Sequence, residues 1–235
     1  MANEKIYLHE FIDLILQNRS KYLHHMTANW GPVGRVERKM LCFGVWATVG
    51  ATERWPAATN MWEYNGWDGI AFSLNVEFSA PSHQDKSLTS CWADATKFRS
   101  GGYDRILIPA SYCPTIEENI TNGTKGDVYY HEMIRTVPGQ AKTYLDLMEK
   151  HWLKKAEGIG LQLAFAGRSS MINDSEVINV WAIKDWETWA NIEEAYQEDD
   201  GVARWRSTTQ NVAIDWRNKL LAPSPLNPMN TGKIL

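Results

Sequence analysis

A repeated stretch constrains this chain more than any other feature. Asn60-Met61-Trp62-Glu63-Tyr64-Asn65-Gly66-Trp67-Asp68 returns as Asn179-Val180-Trp181-Ala182-Ile183-Lys184-Asp185-Trp186-Glu187, so both copies read Asn-x-Trp-x4-Trp followed by a carboxylate. Tryptophan is a rare residue, and two of them at matched spacing beside a matched asparagine mark a duplication. A duplicated chain of 235 residues is two copies of one unit, which must pack on each other to bury what each leaves bare.

The rest of the chain keeps step with the repeat. Ile6-Tyr7-Leu8-His9-Glu10-Phe11-Ile12 predicts a first strand, and Val128-Tyr129-Tyr130-His131-Glu132-Met133-Ile134 is its partner, with Tyr7, His9 and Glu10 unchanged in the copy. A helix follows in which Tyr22, Met26 and Trp30 fall on one stripe, and Tyr22, Leu23, Met26 and Trp30 match Tyr144, Leu145, Met148 and Trp152. Gly31-Pro32 is expected to stop the first of these helices. Leu41 to Thr48 predicts a second strand, matched by Leu163-Ala164-Phe165-Ala166. A hairpin then leads into the Asn-x-Trp stretch as third strand, and a second helix begins at the Trp-acid pair, capped in the second copy by Asp185. An amphipathic segment around Cys91-Trp92 has its counterpart near Trp205. Each copy closes on a strand ending in proline, Ile106 to Pro109 and Leu220 to Pro223.

The order β-α-β-β-α-β, twice over, defines an α+β chain of two tandem ferredoxin-like repeats, residues 1–110 and 126–235, joined by a polar linker at 111–125. Each repeat covers one face of its antiparallel sheet with helices. The two bare faces are expected to pack sheet to sheet, as an intrachain dimeric α+β barrel enclosing a cavity.

Composition narrows the class of function. A hydrophobic content of 44% supplies a core, while a net charge of −4 with no run of like charges disfavours nucleic-acid binding. Neither a signal-peptide core nor an apolar run of about 18 residues is present, which points to a cytoplasmic protein with no membrane association. Cys42, Cys91 and Cys113 lack metal-ligand spacing and read as reduced thiols.

Tyr129, Pro138-Gly139, Tyr144-Leu145 and Asn179-x-Trp181, with Tyr7, Tyr22-Leu23 and Asn60-x-Trp62-x-Tyr64 in the first half, give the chain a likeness to a known pattern. It resembles the NIPSNAP-like branch of the dimeric α+β barrel superfamily. Asn60 and Asn179 stand where that branch commonly has histidine, and the first half lacks the Pro-Gly turn. The resemblance implies the barrel fold; across the superfamily that fold carries cofactor-free monooxygenases, isomerases, cyclases and haem enzymes, so it does not single out a reaction.

Candidate chemistry follows from alternation along the strands. On strand three the aliphatic and small positions suit the helix layer, which sends Asn60, Trp62, Tyr64, Asn179 and Trp181 into the cavity. On strand two, Cys42, Gly44 and Trp46 are expected to line the same space, with Ala164 and Ala166 opposite leaving room for a ligand. On strand one either face could point inward. A carboxylate against a helix layer needs a partner, so Glu10 and Glu132 are favoured inside and His9 and His131 are the alternative. Any of these four could act as general acid or base, with the asparagines, Tyr64, Cys42 and the tryptophans orienting substrate. No zinc-ligand spacing, catalytic-triad pattern or nucleotide-binding loop is present.

These residues point to a cofactor-independent lyase or isomerase acting by proton transfer on a small, apolar, cyclic molecule between the sheets. Alternatives are a cofactor-free monooxygenase, a haem enzyme using His9 or His131, or a non-catalytic module that binds a hydrophobic ligand or a partner. The chain would work as a monomer or as a homo-oligomer of pseudo-dimeric chains.

Overall fold

A computed structural model of the chain describes residues 2–235 apart from 80, 82 and 84. In the first half, β1 (Ile6–Leu14) leads through α1 (Arg19–His24) and a π-helical turn (His25–Trp30) into α2 (Gly31–Glu37), then β2 (Leu41–Thr48) and β3 (Ala57–Tyr64). Helices α3 (Gly66–Phe78) and α4 (Lys86–Ala95) precede β4 (Arg99–Pro109), and a short α5 (Ile116–Thr121) joins the halves. The second half runs β5 (Val128–Thr136), α6 (Ala141–His151), α7 (Leu153–Gly158), β6 (Gln162–Ser169), β7 (Glu176–Ile183), α8 (Trp186–Glu198), α9 (Asp200–Thr209), β8 (Ala213–Pro223) and α10 (Pro228–Thr231).

Each half is a sheet of order β4-β1-β3-β2 or β8-β5-β7-β6, and the edges join, β2 to β8 and β6 to β4, into one closed eight-stranded antiparallel barrel. Closure leaves neither sheet with a free edge, and the helices cover the outside. The expected α+β barrel within one chain is therefore present. Among the described residues no helix is long and apolar enough to cross a membrane.

Gly31-Pro32 does not end the first helix. The helix widens before it: the π-helical turn carries the chain past Trp30, and Pro32, at the start of α2, needs no amide partner. Between the halves, Thr115 and Glu118 cap α5 reciprocally, Ile116 is fully buried, and the Asn119 amide donates to the Ala164 carbonyl at 3.0 Å. The buried Glu63 carboxylate accepts from the Ile116 amide and from the Tyr7 hydroxyl, each at 2.9 Å, which ties the start of α5 to the first sheet.

The barrel interior is filled rather than hollow. Tyr7, Phe43 and Phe165 meet edge to face at centroid separations of 4.9 to 6.0 Å, Trp46 packs on Tyr129, and all five are fully buried. The odd residues of β1 and β5 point into this core and the even ones point out to the helices. The cavity expected between the sheets is taken up by aromatic side chains.

Candidate active site under the helices

Both strand-one carboxylates lie outside the barrel, between sheet and helices. Glu10 stands opposite Asn60 across the β1-β3 ladder, and Leu8 opposite Trp62, so Glu10, Asn60 and Trp62 share one face. The Glu10 Oε2 accepts from Trp62 Nε1 at 2.6 Å and from Asn60 Nδ2 at 2.9 Å, and the same amide reaches the Tyr22 hydroxyl of α1 at 2.7 Å. The second half repeats the device: Glu132 Oε2 accepts from Trp181 Nε1 at 2.7 Å and from Asn179 Nδ2 at 3.1 Å. The repeated Asn-x-Trp motif is thus the donor pair that lets a carboxylate stay under a helix layer.

Two strand faces are the reverse of those expected from the sequence. Glu10, Glu132, Asn60, Trp62, Tyr64, Asn179 and Trp181 were expected between the sheets and instead face the helices, while His9 and His131 face the barrel core. On strand two, a bulge between Cys42 and Gly44 changes the alternation, as does its twin between Leu163 and Phe165. Cys42 and Val45 consequently join the helix-side cluster, whereas Phe43 enters the core beside Trp46, the one strand-two aromatic placed inward as expected. The pairing also puts Cys42, not Leu41, in register with Leu163.

Each carboxylate lines a cavity beneath its own helices. The first-half cavity, about 130 Å³, is walled by Trp30, Trp62, Tyr64, Cys91, Trp92 and Arg99, with the Arg99 guanidinium 4.4 Å above the Trp92 ring. Asp104, the cross-strand neighbour of Glu10, opens into it; partial desolvation, then the Glu10 charge, push its carboxyl up to about 7. The Tyr64 hydroxyl donates to Met40 Sδ at 3.3 Å, and burial pushes it up to about 12. The π-helical turn brings His25 Nε2 to 3.5 Å from Cys91 Sγ, a contact that nothing in the spacing of these residues announced.

The second-half cavity is larger, about 520 Å³, within the range of small-molecule sites. Its walls are Trp152 stacked on Trp205 at 5.7 Å, Trp216 beneath the Arg206 guanidinium at 4.4 Å, Tyr130 and Tyr196, with Glu132 on the floor. Burial raises the Glu132 pKa, and the Trp181 and Asn179 hydrogen bonds hold it back. The second carboxylate oxygen has no protein donor among the described residues. The floor therefore presents a desolvated, oriented carboxylate to a chamber walled by aromatic rings and also lined by Glu193, Glu198, Asp199 and Asp200.

Among the described residues no group of three or more His, Cys, Asp or Glu side chains is placed to hold a metal ion. The resemblance makes haem a candidate cofactor, with His9 or His131 as its ligand. His9 and His131 are fully buried in the core, Nε2 to Nε2 at 2.9 Å, and neither lines one of the two cavities under the helices. These residues do not fit a haem.

A tandem ferredoxin-like chain closed into one eight-stranded barrel has the dimeric α+β barrel fold. Solved structures that superpose over nearly the whole chain bear out that fold. A "putative monooxygenase" from Lactobacillus acidophilus NCFM superposes over 94% of this chain and 95% of its own, with a TM-score of 0.63 at 12% identity. An anthrone oxidase-like protein does so over 95% and 93%, with a TM-score of 0.59 at 9% identity. A NIPSNAP family protein of unknown function from Agrobacterium tumefaciens aligns over 43% of this chain and 94% of its own, with a TM-score of 0.39 at 17% identity. No protein-family model matches the sequence, and no curated protein matches it.

Proposed function

We propose that the chain is a cofactor-independent enzyme of the lyase or isomerase kind that removes a proton from a small, largely apolar, cyclic molecule held under the second-half helices. Glu132 is the general base. The observation that carries this reading is its carboxylate: fixed on one oxygen by Trp181 and Asn179, bare on the other, and desolvated at the floor of a 520 Å³ aromatic chamber. Trp152, Trp205 and Trp216 hold the ring system by stacking, and Arg206 steadies the enolate-like charge that deprotonation creates. Glu10 with Asn60 and Trp62 is the same device with less room, suited to a smaller group. The working form is a monomer or a homo-oligomer of pseudo-dimeric chains in the cytoplasm, where free Cys42, Cys91 and Cys113 stay reduced.

A second reading shares the first step. Cofactor-free oxygenation also begins with a substrate carbanion, and the anthrone oxidase-like neighbour favours it and supplies a probe. Anthrone is incubated with the protein in deuterated buffer under nitrogen, and exchange at its acidic methylene is followed by NMR. Wild type accelerates exchange and Glu132→Gln does not. Equal rates for the two would dismiss Glu132 as the base. Admitting air then separates the readings: oxygen uptake with conversion to the quinone and water marks oxygenation, and exchange without uptake marks proton transfer alone.

A further inference from the structure

The two mouths of the barrel differ by one missing carboxylate. At the mouth where β4 of the first half meets β6 of the second, Arg105 Nε donates to Glu176 Oε2 at 2.6 Å and Ser169 Oγ donates to the same oxygen at 2.5 Å. The ladders identify the duplicate of each member. His9 pairs with Arg105 as His131 pairs with Lys219, Asp13 pairs with Ala57 as Arg135 pairs with Glu176, and Leu107 pairs with Ser169 as Leu221 pairs with Thr48. The cation and the hydroxyl are kept as Lys219 and Thr48. The acid has become Ala57.

What remains is a buried amine with no direct ion pair among the described residues; Glu53, on the same pocket, favours its charge without bonding to it. Lys219 is 3% exposed; its Nζ meets Thr59 Oγ1 at 3.0 Å and sits 4.0 Å from the Phe11 ring centroid, and no carboxylate pairs with it among the described residues. Thr48 is fully buried and its Oγ1 has no partner. Lys219, Thr48 and Ala57 line one pocket of about 160 Å³, with Phe11, Glu53, Arg217 and the Asp13–Arg54 ion pair around it. A buried amine and an unpaired buried hydroxyl each destabilise the fold unless something supplies the missing partner. Burial pushes the Lys219 amine down to about 7, so it is poorly compensated as it stands.

We propose that this pocket binds a small carboxylate ligand, whose carboxyl group takes the place that Glu176 fills in the duplicate site and joins Lys219 to Thr48. The pocket volume suits a short-chain acid. It is separate from the carboxylate cavities under the helices, so the site stands or falls independently of the proton-transfer reading.

The test is titration of the full chain with sodium acetate, propionate and pyruvate, against sodium chloride at equal ionic strength, read by calorimetry and by thermal shift. Saturable binding of at least one acid, absent with chloride, is expected for wild type. Lys219→Met should weaken it about tenfold or more, as loss of a charge-assisted hydrogen bond does. Ala57→Glu rebuilds the internal carboxylate, so it should abolish binding and raise the melting temperature of the unliganded protein. Equal responses to chloride and carboxylates, or unchanged binding in Ala57→Glu, would overturn the proposal. Should Lys219→Met fail to fold, the Ala57→Glu result decides alone.

Discussion

The Nε2 atoms of His9 and His131 stand 2.9 Å apart inside the barrel, each the counterpart of the other in the duplication. Only one proton fits between them, so one ring donates and the other accepts, and neither Nδ1 has a partner. Burial first, then the Lys219 charge, hold both imidazoles well below their usual range, which keeps the pair neutral.

That pair makes the fold sensitive to acid. In the unfolded chain the histidines take up protons below about pH 6.5, whereas in the barrel they do not, so the unfolded state binds more protons and stability falls as pH drops through that value. Each histidine adds a slope of up to about 1.4 kcal/mol per pH unit. Denaturant melts at about pH 7 and about pH 5 should show this loss, and the His9→Gln, His131→Gln double variant should show a shallower one. The raised carboxyls of Glu63 and Glu132 act in the opposite sense in both proteins, so the difference isolates the imidazoles. Parallel pH profiles for the two proteins would refute the assignment.

Glu132 gives a prediction that separates chemistry from folding. Glutamine keeps an oxygen for Trp181 and Asn179 and removes a desolvated charge, so Glu132→Gln should retain wild-type stability within about 1 kcal/mol. Activity should fall by about 10² to 10⁴, the range of a lost general base. Trp181→Phe deletes the 2.7 Å donor, which leaves burial unopposed on that side and moves the acidic limb of the rate profile, where the base protonates, to higher pH. A rate profile unmoved by Trp181→Phe would show that the indole does not tune this carboxylate.

The duplication was legible because tryptophan, asparagine and glutamate occupy equivalent strand positions for a chemical reason, the indole and amide donors that Glu10 and Glu132 require. What the residues could not reveal is which strand face turns inward. Tyr7-His9-Phe11 and Leu8-Glu10-Ile12 alternate equally well, and a carboxylate against helices looked too costly only because its donors lie on another strand. Bulges at Cys42/Gly44 and Leu163/Phe165 then shifted strand two by one residue, which changes the face of each side chain beyond the shift. The cavities arise where α4 and α9 lie over the sheet, a tertiary placement that local periodicity does not encode.

Arg38 pins the helices over the first-half cavity. The residue is 3% exposed and its guanidinium donates to Ser73 Oγ at 3.1 Å, Glu77 at 2.8 Å and Asp85 at 3.1 Å, linking the end of α2 to α3 and to the cap of α4. Arg38→Met removes the guanidinium from which both carboxylates accept. Because both retain some solvent contact, a loss of about 3 kcal/mol is expected, the lower end for a broken buried pair. Urea unfolding measures it, and a loss below about 1 kcal/mol would mean that the network contributes as little as a surface pair.

The core shows one compensating exchange between the halves. Gly44 and Trp46 on β2 stand in register with Phe165 and Gly167 on β6, so each strand carries one aromatic and one glycine in opposite order. The Trp46 indole lies over Gly44, and the Phe165 ring lies over Gly167. A methyl group on Gly44 meets the Trp46 ring, which is enclosed and cannot withdraw, so Gly44→Ala should destabilise by about 1 to 3 kcal/mol through overpacking. Gly101 on β4 has nothing within 4 Å of an added Cβ, and Gly101→Ala serves as the control that should leave stability unchanged or slightly raised. Similar melting temperatures for the two variants would mean that the ring over Gly44 yields, and that the interior retains the free space this packing excludes.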